Sequence, residues 1–436
     1  MLGVGGRGPV GLDADVLGDT LPDNGTPGRT IRDDERDAWV VLASVEGLGP
    51  MGFARLLRLL GSGRAILDAA RRPGAVPRLV DPDPRGSVDA VVAGRIVDAA
   101  ADPAHILDRV RELGLIVLTL EDDAYPRRLL EIELPPPLLF IRGDPAALSP
   151  ARAIAVVGTR RATEYGRRLA SRIGAAVSEA GGTVISGLAV GIDGAAHAAA
   201  VEAGAPTVAV LGGGHARLFP MAHGRLAEAI VSGGGAVVSE LFPDVSPTPG
   251  TFPRRNRLVS GLADATVVIE APLRSGALIT ASWALEQGRD CYLVPGAIGA
   301  PTSAGCLDFL RQHPNLARIV ADVPGLIDDL GLLGLTEGGP QTVAQVELGT
   351  VERAIVRALA DGGATTDDLV RSTRQPVATI LGGLTLLEMR GLVTGAYGRY
   401  RLAGRAANKL RRKPSTTESH PTPGLSDLPR PATEVA

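Results

Sequence analysis

The centre of the chain alternates short apolar runs with longer Ala- and Leu-rich segments. Because the runs are apolar at nearly every position, they are typical of strands buried on both faces of a sheet. The predicted strands are Leu115–Leu120, Leu138–Ile141, Ile154–Val157, Thr183–Ile185, Thr207–Leu211, Ala236–Ser239, Thr266–Ile269 and Asp290–Val294, with helices at Tyr165–Ala180, Ile192–Ala203 and Ile279–Gln287. Strands joined by helical crossovers predict an α/β fold with a doubly wound, mostly parallel sheet.

A helical domain is predicted ahead of the sheet, over residues 31–112. Apolar residues recur at helical spacing on both sides of a Gly-rich turn, Gly47-Leu48-Gly49-Pro50. Such a turn at a helix start can present backbone N–H groups to a phosphate, as helix-hairpin-helix elements do. A single copy is a weak signal, so a small packing domain of helices is the favoured interpretation.

A winged helix is predicted after the sheet, over residues 350–404. Its three helices and its two-stranded hairpin are expected at Val351–Ala360, Thr366–Val370, Val377–Met389, Gly391–Val393 and Tyr397–Leu402. The third helix offers only Glu388 and Arg390 as charges. Because a helix that reads bases normally carries more donors, the pattern favours a docking or interaction role over groove reading.

The two ends of the chain and one internal segment lack periodic patterning. Residues 1–30 and 405–436 are predicted to be disordered tails, and residues 331–349 a linker, which leaves 113–330 for the sheet domain. The C-terminal tail begins with a basic cluster, Lys409, Arg411, Arg412 and Lys413. A solvated run of charge is favoured there over contact with nucleic acid.

The charge balance excludes binding to nucleic acid through a global basic field. Lysine and arginine total 45 against 48 acidic residues, for a net charge of -3, so any anion site must be local. Lys409 and Lys413 are the only lysines, and nearly every cation is therefore an arginine. Arginine suits forked contacts to phosphate, although a genome rich in G and C would produce the same bias.

The cysteine content and the hydropathy of the sequence indicate the cellular compartment. Cys291 and Cys306 provide neither a disulfide framework nor a Cys-x-x-Cys metal pair, which fits a reducing environment. No run approaches the roughly 18 to 20 apolar residues of a membrane span, and no charged segment followed by an apolar one begins the chain. The sequence predicts a cytoplasmic protein without a metal site or membrane contact.

Three glycine-rich loops follow predicted strands, at the end of the sheet where doubly wound folds bind ligands. They are Val156–Arg161, Ile185–Asp193 and Leu211–Gly214. Glycine lets the backbone approach a ligand closely, and a helix start favours an anion. The Gly-x-Gly-x-x-Gly dinucleotide signature does not follow the first strand, and Gly-x-x-x-x-Gly-Lys-[Ser/Thr] is absent from the sequence. The loops predict a phosphate-compatible edge without a cofactor.

The strongest polar candidate is the segment Phe252-Pro253-Arg254-Arg255-Asn256-Arg257. Three arginines around an asparagine suit a short turn or helix start that presents guanidiniums and an amide to a phosphodiester. An arginine-rich surface turn without a ligand is the common alternative.

Catalytic constellations are poor in this sequence. Asp193 and His197 stand four apart on one predicted helix, but no nucleophile at an elbow motif accompanies them. A helix-capping aspartate and a structural histidine are favoured. Glu240 and Glu270 lie at strand ends and could act as acid and base or accept backbone N–H groups, and the sequence leaves both possibilities open.

Taken together, these loops resemble the DprA (Smf) family of DNA-processing proteins. The matching motifs are Val157-Gly158-Thr159-Arg160, Ser186-Gly187-Leu188-Ala189-x-Gly191-Ile192-Asp193-x-Ala195-Ala196-His197, Ala209-Val210-Leu211-Gly212-x-Gly214, Phe252–Arg257, Ser275-Gly276-Ala277-Leu278-Ile279-Thr280-Ala281 and Val294-Pro295-Gly296. Upstream, Tyr125-Pro126 and Pro136–Gly143 resemble the family's entry into the same domain. The likeness spans about residues 115 to 320 in order and with sensible spacing.

The resemblance implies a Rossmann-like domain that binds single-stranded DNA, protects incoming strands in natural transformation and helps load RecA onto DNA covered by single-strand-binding protein. It also implies a homodimer formed through this domain, no catalytic turnover, a helical N-terminal domain of SAM or helix-hairpin-helix type and a C-terminal winged helix. By motif, the DNA-binding residues would be Gly158, Thr159, Arg160, Ser186, Gly187, Arg254, Arg255, Asn256 and Arg257, with Gly276 nearby.

The sequence departs from the family pattern at three places. Val190 stands where the family usually has Lys or Arg, so one expected phosphate contact is missing. Gly213 replaces a usual cysteine, and Leu307-Asp308 follows Cys306 in place of an asparagine and a more basic stretch. These changes bear on affinity more than on fold.

A second function class is a nucleotide-metabolising enzyme that resembles the phosphoribohydrolases once labelled lysine decarboxylases. Those enzymes carry Pro-Gly-Gly-x-Gly-Thr-x-x-Glu, with glycines for phosphate and a glutamate for the glycosidic step. This chain has Ser275–Thr280 without that glycine pair, and Trp283 stands at the glutamate's position. The sequence therefore disfavours this class. A scaffold without nucleic-acid contact is the third alternative, because the net charge is acidic.

Overall fold

The structure, a computed structural model, describes residues 32–81, 86–332, 348–359, 364–390, 392–396 and 398–402. The predicted disordered tails and most of the predicted linker lie outside these residues, as does the basic cluster that begins at Lys409. Within the described ranges, no helix is both long and apolar enough to cross a membrane.

Six short helices precede the sheet and pack against one another. They are α1 (Asp33–Ala43), α2 (Pro50–Leu60), α3 (Gly63–Ala70), α4 (Val76–Leu79), α5 (Ala90–Ala101) and α6 (Pro103–Glu112). Glu35 in the first turn of α1 accepts hydrogen bonds from the Trp39 indole N–H at 2.8 Å and from the Arg64 backbone N–H at 3.0 Å. This carboxylate ties α1 to the start of α3, where backbone N–H groups lack helical partners.

Nine strands form the central sheet. They are β1 (Ile116–Thr119), β2 (Leu138–Gly143), β3 (Ala153–Val157), β4 (Thr183–Ser186), β5 (Thr207–Val210), β6 (Ala236–Ser239), β7 (Ala265–Val268), β8 (Asp290–Leu293) and β9 (Ala317–Ile319). Their spatial order is β1-β2-β6-β5-β4-β3-β7-β8-β9. The strands from β6 to β9 in that order are parallel, and β2 and β1 extend the β6 edge in antiparallel pairing.

Helices cover both faces of the sheet, which confirms the predicted doubly wound, mostly parallel fold. They are α7 (Arg127–Leu130), α8 (Glu164–Glu179), α9 (Ile192–Glu202), α10 (Gly224–Ser232), α11 (Thr251–Gly261), α12 (Gly276–Glu286), α13 (Ala304–Gln312) and α14 (Val323–Asp329). Ala155 of β3 belongs to a core with α11, α12 and α13, whereas its neighbour Ile154 belongs to a core with α8, α9 and α14. Successive strand residues thus face opposite layers, and every residue of β3 to β7 is buried.

The N-terminal helices share their core with the edge of the sheet. Leu138 and Phe140 on one face of β2 lie in the same buried cluster as Trp39 and Leu42 of α1. Beside this cluster, Arg36 of α1 forms an ion pair with the buried Asp122 at 2.7 Å. The helices therefore cover the face of β2 that would otherwise be exposed.

The C-terminal elements form the predicted winged helix. They are α15 (Thr350–Ala358), β10 (Ala364–Thr365), α16 (Thr366–Thr373), α17 (Val377–Met389), β11 (Val393–Ala396) and β12 (Arg399–Leu402), with the strands in the order β10-β12-β11. Thr365 and Asp368 cap α16 reciprocally, which fixes where this helix begins. Ile355, Leu369, Leu384 and Leu402 contribute to a core that contains residues of this domain alone.

We predict that Phe140→Ala lowers the free energy of unfolding by about 3 to 5 kcal/mol, because it empties a fully buried site that joins the helices to the sheet. Urea denaturation followed by circular dichroism measures the change. Leu59→Ala is the control, since Leu59 is 62% exposed and its loss should cost no more than about 0.5 kcal/mol. Equal effects of the two substitutions would contradict a shared core.

Candidate nucleic-acid interface

The candidate interface lies where β3 and β7 pair side by side although more than a hundred residues separate them. Crossovers leave these two strands toward opposite faces, which opens a crevice beyond their carboxyl ends. The Thr159 backbone N–H donates to the Glu270 carbonyl oxygen at 2.7 Å and so joins the two loops. The Glu270 carboxylate accepts hydrogen bonds from the Thr163 backbone N–H at 2.9 Å and from its hydroxyl at 2.5 Å. Glu270 therefore fixes the start of α8, one of the two roles that the sequence left open.

The loop between β4 and α9 is held from within by Asp193. Its carboxylate accepts hydrogen bonds from the backbone N–H groups of Gly187 at 3.1 Å and Ala189 at 3.4 Å. Burial raises the pKa of the Asp193 carboxyl above its usual range, while the nearby Arg255 guanidinium opposes that rise. The Ser186 hydroxyl donates to the Val156 carbonyl at 2.6 Å and is fully buried. These buried groups fix the conformation of the loop through hydrogen bonds.

The arginine-rich segment forms the first turns of α11, so the helix-start alternative is the one observed. Each residue of an α-helix is rotated by about 100° from the one before it. Arg254 is consequently exposed and Asn256 is partly exposed, whereas Arg255 and Arg257 are each 5% exposed. The four consecutive side chains do not share one solvent-facing surface.

Arg257 anchors α11 to the end of β6. Its guanidinium pairs with the Glu240 carboxylate through two contacts, at 2.5 and 2.8 Å, and its Nε donates to the Leu134 carbonyl at 3.2 Å. Both side chains of the pair are nine-tenths buried or more. Glu240 is thus a structural partner of a guanidinium, a role that the sequence analysis did not include.

Arg255 lies beneath the glycine loops. Its guanidinium donates to the Val210 carbonyl at the end of β5 and occupies the space where a side chain at Gly187 would stand. Its Nε is buried without a hydrogen-bond partner. Burial lowers the pKa of Arg255 to about 10, and the charge of Asp193 counters part of that effect. The lack of a side chain at Gly187 therefore leaves room for Arg255 as well as for any ligand.

Arg160 and Arg161 are both exposed in the β3 loop, and Arg160 stacks on an aromatic ring. Its guanidinium carbon lies 4.6 Å from the centroid of the Phe252 ring, within cation–π range. The Phe219 ring lies 5.8 Å from the same ring, centroid to centroid. A Cβ at Gly212 would stand 2.6 Å from Phe252, so glycine is needed there for the ring to fit.

Sequence reasoning missed this aromatic pair. The low aromatic fraction of 3% favoured backbone and phosphate chemistry, and Phe219 lies in a loop without a motif. The available signal was the position of Phe252 two residues before Arg254, at the start of a helix beyond the sheet edge.

Arg254 lies on the same helical turn as Phe252 and faces the N-terminal helices. A Cβ at Gly49, in the turn before α2, would stand 3.9 Å from a terminal nitrogen of Arg254. Asn256 donates through Nδ2 to the Gly276 carbonyl at 3.0 Å, and Gly276 begins α12 with its Cβ position open. The sequence-predicted Gly-rich turn therefore adjoins the arginine-rich helix.

The structure brings the predicted site residues to one edge of the sheet but divides them by burial. Those at least partly exposed are Gly158, Arg160, Arg254, Asn256 and Gly276, and those buried are Thr159, Ser186, Gly187, Arg255 and Arg257. Val190, which replaces a usual cation, is 38% exposed at the same edge. The exposed positive charge of this set therefore comes from Arg160 and Arg254.

Burial moves the pKa values of one histidine and two cysteines of the sheet domain away from neutrality. His197 is fully buried with Nδ1 2.8 Å from the Thr207 hydroxyl, and burial lowers its pKa to about 3. Burial raises the pKa of the Cys291 thiol to about 12 and that of Cys306 to about 11, so both stay protonated near neutral pH. Within the described part of the chain, no three His, Cys, Asp or Glu side chains cluster as a metal site.

We predict that His197 makes the fold acid-sensitive. Its pKa is lower in the folded than in the unfolded state, so unfolded chains bind more protons between about pH 6.5 and 3, and stability falls as the pH drops through that range. From pH 7 to 5 the loss should be about 2 kcal/mol greater in the parent protein than in His197→Gln. Urea denaturation at both pH values measures it, and equal losses would show that His197 titrates normally.

Two family models match the chain. One described as DNA recombination-mediator protein A matches residues 116–330, and one described as DprA winged helix domain matches residues 339–399. A putative DNA processing protein DprA from Mycobacterium tuberculosis is 36% identical over 390 residues, which cover 85% of this chain and 96% of that protein. Protein Smf from Escherichia coli is 36% identical over 300 residues, 68% of this chain and 79% of that protein.

A solved structure has a similar fold. The X-ray structure of DNA processing protein A from Streptococcus pneumoniae aligns with a TM-score of 0.56 and 29% sequence identity. The alignment covers 67% of this chain and 97% of that chain.

Proposed function

The chain belongs to the DprA/Smf family of DNA-processing proteins, and from this premise we propose that it binds single-stranded DNA along the carboxyl edge of its central sheet. The observation that carries the proposal is the exposed guanidinium of Arg160 stacked on Phe252, with the exposed Arg254 two residues after Phe252 on α11. Arginine and aromatic side chains together are the usual means of holding a flexible strand, because one takes phosphates and the other takes bases.

Single strands are favoured over duplex by the chemistry of the ring. A base can stack on Phe252 or Phe219 only when it has left its own stack, and unpaired strands do so at low cost. Contacts to phosphate and to ring faces carry little sequence information. Binding should therefore be largely independent of sequence and sensitive to salt.

In this proposal the buried arginines position the exposed ones. Arg257 holds α11 against Glu240, and Arg255 supports the loops that follow β4 and β5. Thr159 joins the loop after β3 to Glu270, and Ser186 and Gly187 fix the loop after β4 through hydrogen bonds to Val156 and Asp193. Substituting Arg255 or Arg257 would disturb folding as well as binding, so these residues are poor tests of DNA contact.

The protein acts by binding, without turnover. Glu240 and Glu270, the candidates for acid–base chemistry, are engaged by Arg257 and Thr163, which supports a non-catalytic role over the phosphoribohydrolase alternative. Release of base from nucleoside monophosphates at a rate above the uncatalysed background would revive that alternative.

We further propose RecA as the partner in the cytoplasm, with single-strand-binding protein as the competitor that is displaced, and a homodimer as the working form. The matching family model is described as a recombination mediator, which supports RecA as the partner. The homodimer is supported by exposed apolar side chains at the sheet edge, Leu273 at 59% and Ile298 at 96% exposure.

We predict that Arg160→Ala and Arg254→Ala each weaken single-strand binding and each reduce the slope of log affinity against log salt by about 0.7, the value for one phosphate contact. Phe252→Ala should weaken binding by about 1 to 3 kcal/mol without changing that slope. Fluorescence anisotropy with a labelled oligonucleotide at several salt concentrations separates the two effects.

Arg111→Ala is the matched control, because Arg111 is an exposed arginine of α6 that pairs with Asp108. Its affinity and salt slope should equal those of the parent protein. Unchanged binding by the Arg160→Ala, Arg254→Ala double variant would overturn the site.

We predict that the protein increases the rate of RecA-dependent ATP hydrolysis on DNA covered by single-strand-binding protein, and that light scattering shows a dimer. Exchange of Leu273 and Ile298 for Asp should give monomers, because each would bury a charge in an apolar contact. A parent protein that remains monomeric at working concentration would remove the dimer from the proposal, and an unchanged ATPase rate would remove RecA.

A further inference from the structure

The winged helix contacts the sheet through an arginine of its hairpin, at the end of the sheet opposite the candidate DNA site. Arg401 of β12 forms an ion pair with the Asp290 carboxylate at 2.7 Å and donates to the Asp264 backbone carbonyl at 3.1 Å. Asp290 begins β8 and Asp264 directly precedes β7, so the contact lies at the amino ends of these strands. The candidate DNA site lies at their carboxyl ends.

Asp290 supplies the carboxylate for this contact. The other nearby carboxylate, Asp264, already accepts two hydrogen bonds from Arg128, at 3.0 and 2.9 Å, and one from the Ala153 backbone N–H at 2.9 Å. The side chains of Arg401 and Asp290 are only 15% and 11% exposed. A guanidinium buried to this extent is costly to leave without its partner.

The contact is polar, whereas each of the two domains keeps its own apolar core. Among the described residues, the buried cluster of the winged helix contains none from the sheet domain. The crevice between them is lined by Glu131, Gln287, Gly288, Arg289 and the β12 residues 399–401. Polar interfaces within a chain resemble transient protein contacts, and the cost of desolvating an ion pair offsets much of its attraction. Such a contact can open without unfolding either domain.

We infer that the Arg401–Asp290 pair is a latch that withholds the hairpin of the winged helix from nucleic acid, and that opening it exposes a second, phosphate-binding surface for duplex DNA. Basic side chains on a hairpin can contact the phosphates of a duplex without reading its bases. Here one of the two arginines of β12, Arg401, is occupied by Asp290. The third helix, α17, exposes apolar side chains such as Leu381 and Met389, so the duplex contact is to phosphates and carries no base preference.

Two substitutions open the latch but differ in what they leave behind. Asp290→Asn removes the carboxylate charge and keeps Arg401, whereas Arg401→Ala removes the cation itself. Both should increase the radius of gyration in small-angle X-ray scattering and speed hydrogen exchange at the amino ends of β7 and β8. Only Asp290→Asn should bind a blunt duplex more tightly, by about threefold or more at low salt, since it alone frees a phosphate contact.

The experiment is performed on the full chain that also carries Arg160→Ala and Arg254→Ala, so that its outcome does not depend on the proposed single-strand site. Arg371→Ala is the control, because Arg371 is a solvent-exposed arginine of the same domain. Combining Arg401→Asp with Asp290→Arg should restore the compact form. Unchanged scattering and exchange in both single variants would overturn the latch. Opening by Asp290→Asn without tighter duplex binding would overturn the withheld surface.

Discussion

The hydrogen-bonded pairing of β3 with β7 is the constraint on which the rest of the structure depends. Four residue pairs, from Ile154 with Ala265 to Val157 with Val268, bring together strands that are distant in sequence. This register sets the loop after β3 against the loop after β7 and lets Thr159 bond to Glu270. Because the chain grows outward from this pair in both directions, the crevice opens here and at no other strand pair of the seven parallel strands.

Buried arginines carry much of the internal polar structure of the sheet domain. Arg128, Arg255, Arg257 and Arg289 all donate to backbone carbonyls, and all but Arg255 also form an ion pair with a carboxylate. The planar guanidinium suits this task, since its five donors can satisfy several acceptors in fixed directions. The number of arginines in a motif of this protein therefore overstates the positive charge that is exposed to a ligand.

The order of strands and helices could be predicted because it rests on local patterning, and the recognisable loops follow from that order. The strands that were missed are the shortest. β9 has three residues of which two are exposed, and β10 has two, so neither carries a periodic signal. Which side chains of Arg254–Arg257 are buried and which are exposed could not be predicted from spacing alone, because this depends on which face of α11 packs against the sheet. The partners of Arg401 lie more than a hundred residues away, beyond any local pattern.

The two flanking domains differ in how their cores are closed, and this difference determines which of them the sheet can lose. The N-terminal helices pack on Leu138 and Phe140 of β2. A chain without these helices would expose both apolar side chains to water unless polar residues replaced them. The winged helix closes its core by itself, and its removal would uncover little more than Asp290 and its neighbours. Gene rearrangement could therefore add, exchange or delete the C-terminal module in a single step, whereas the helical module and the sheet must evolve together.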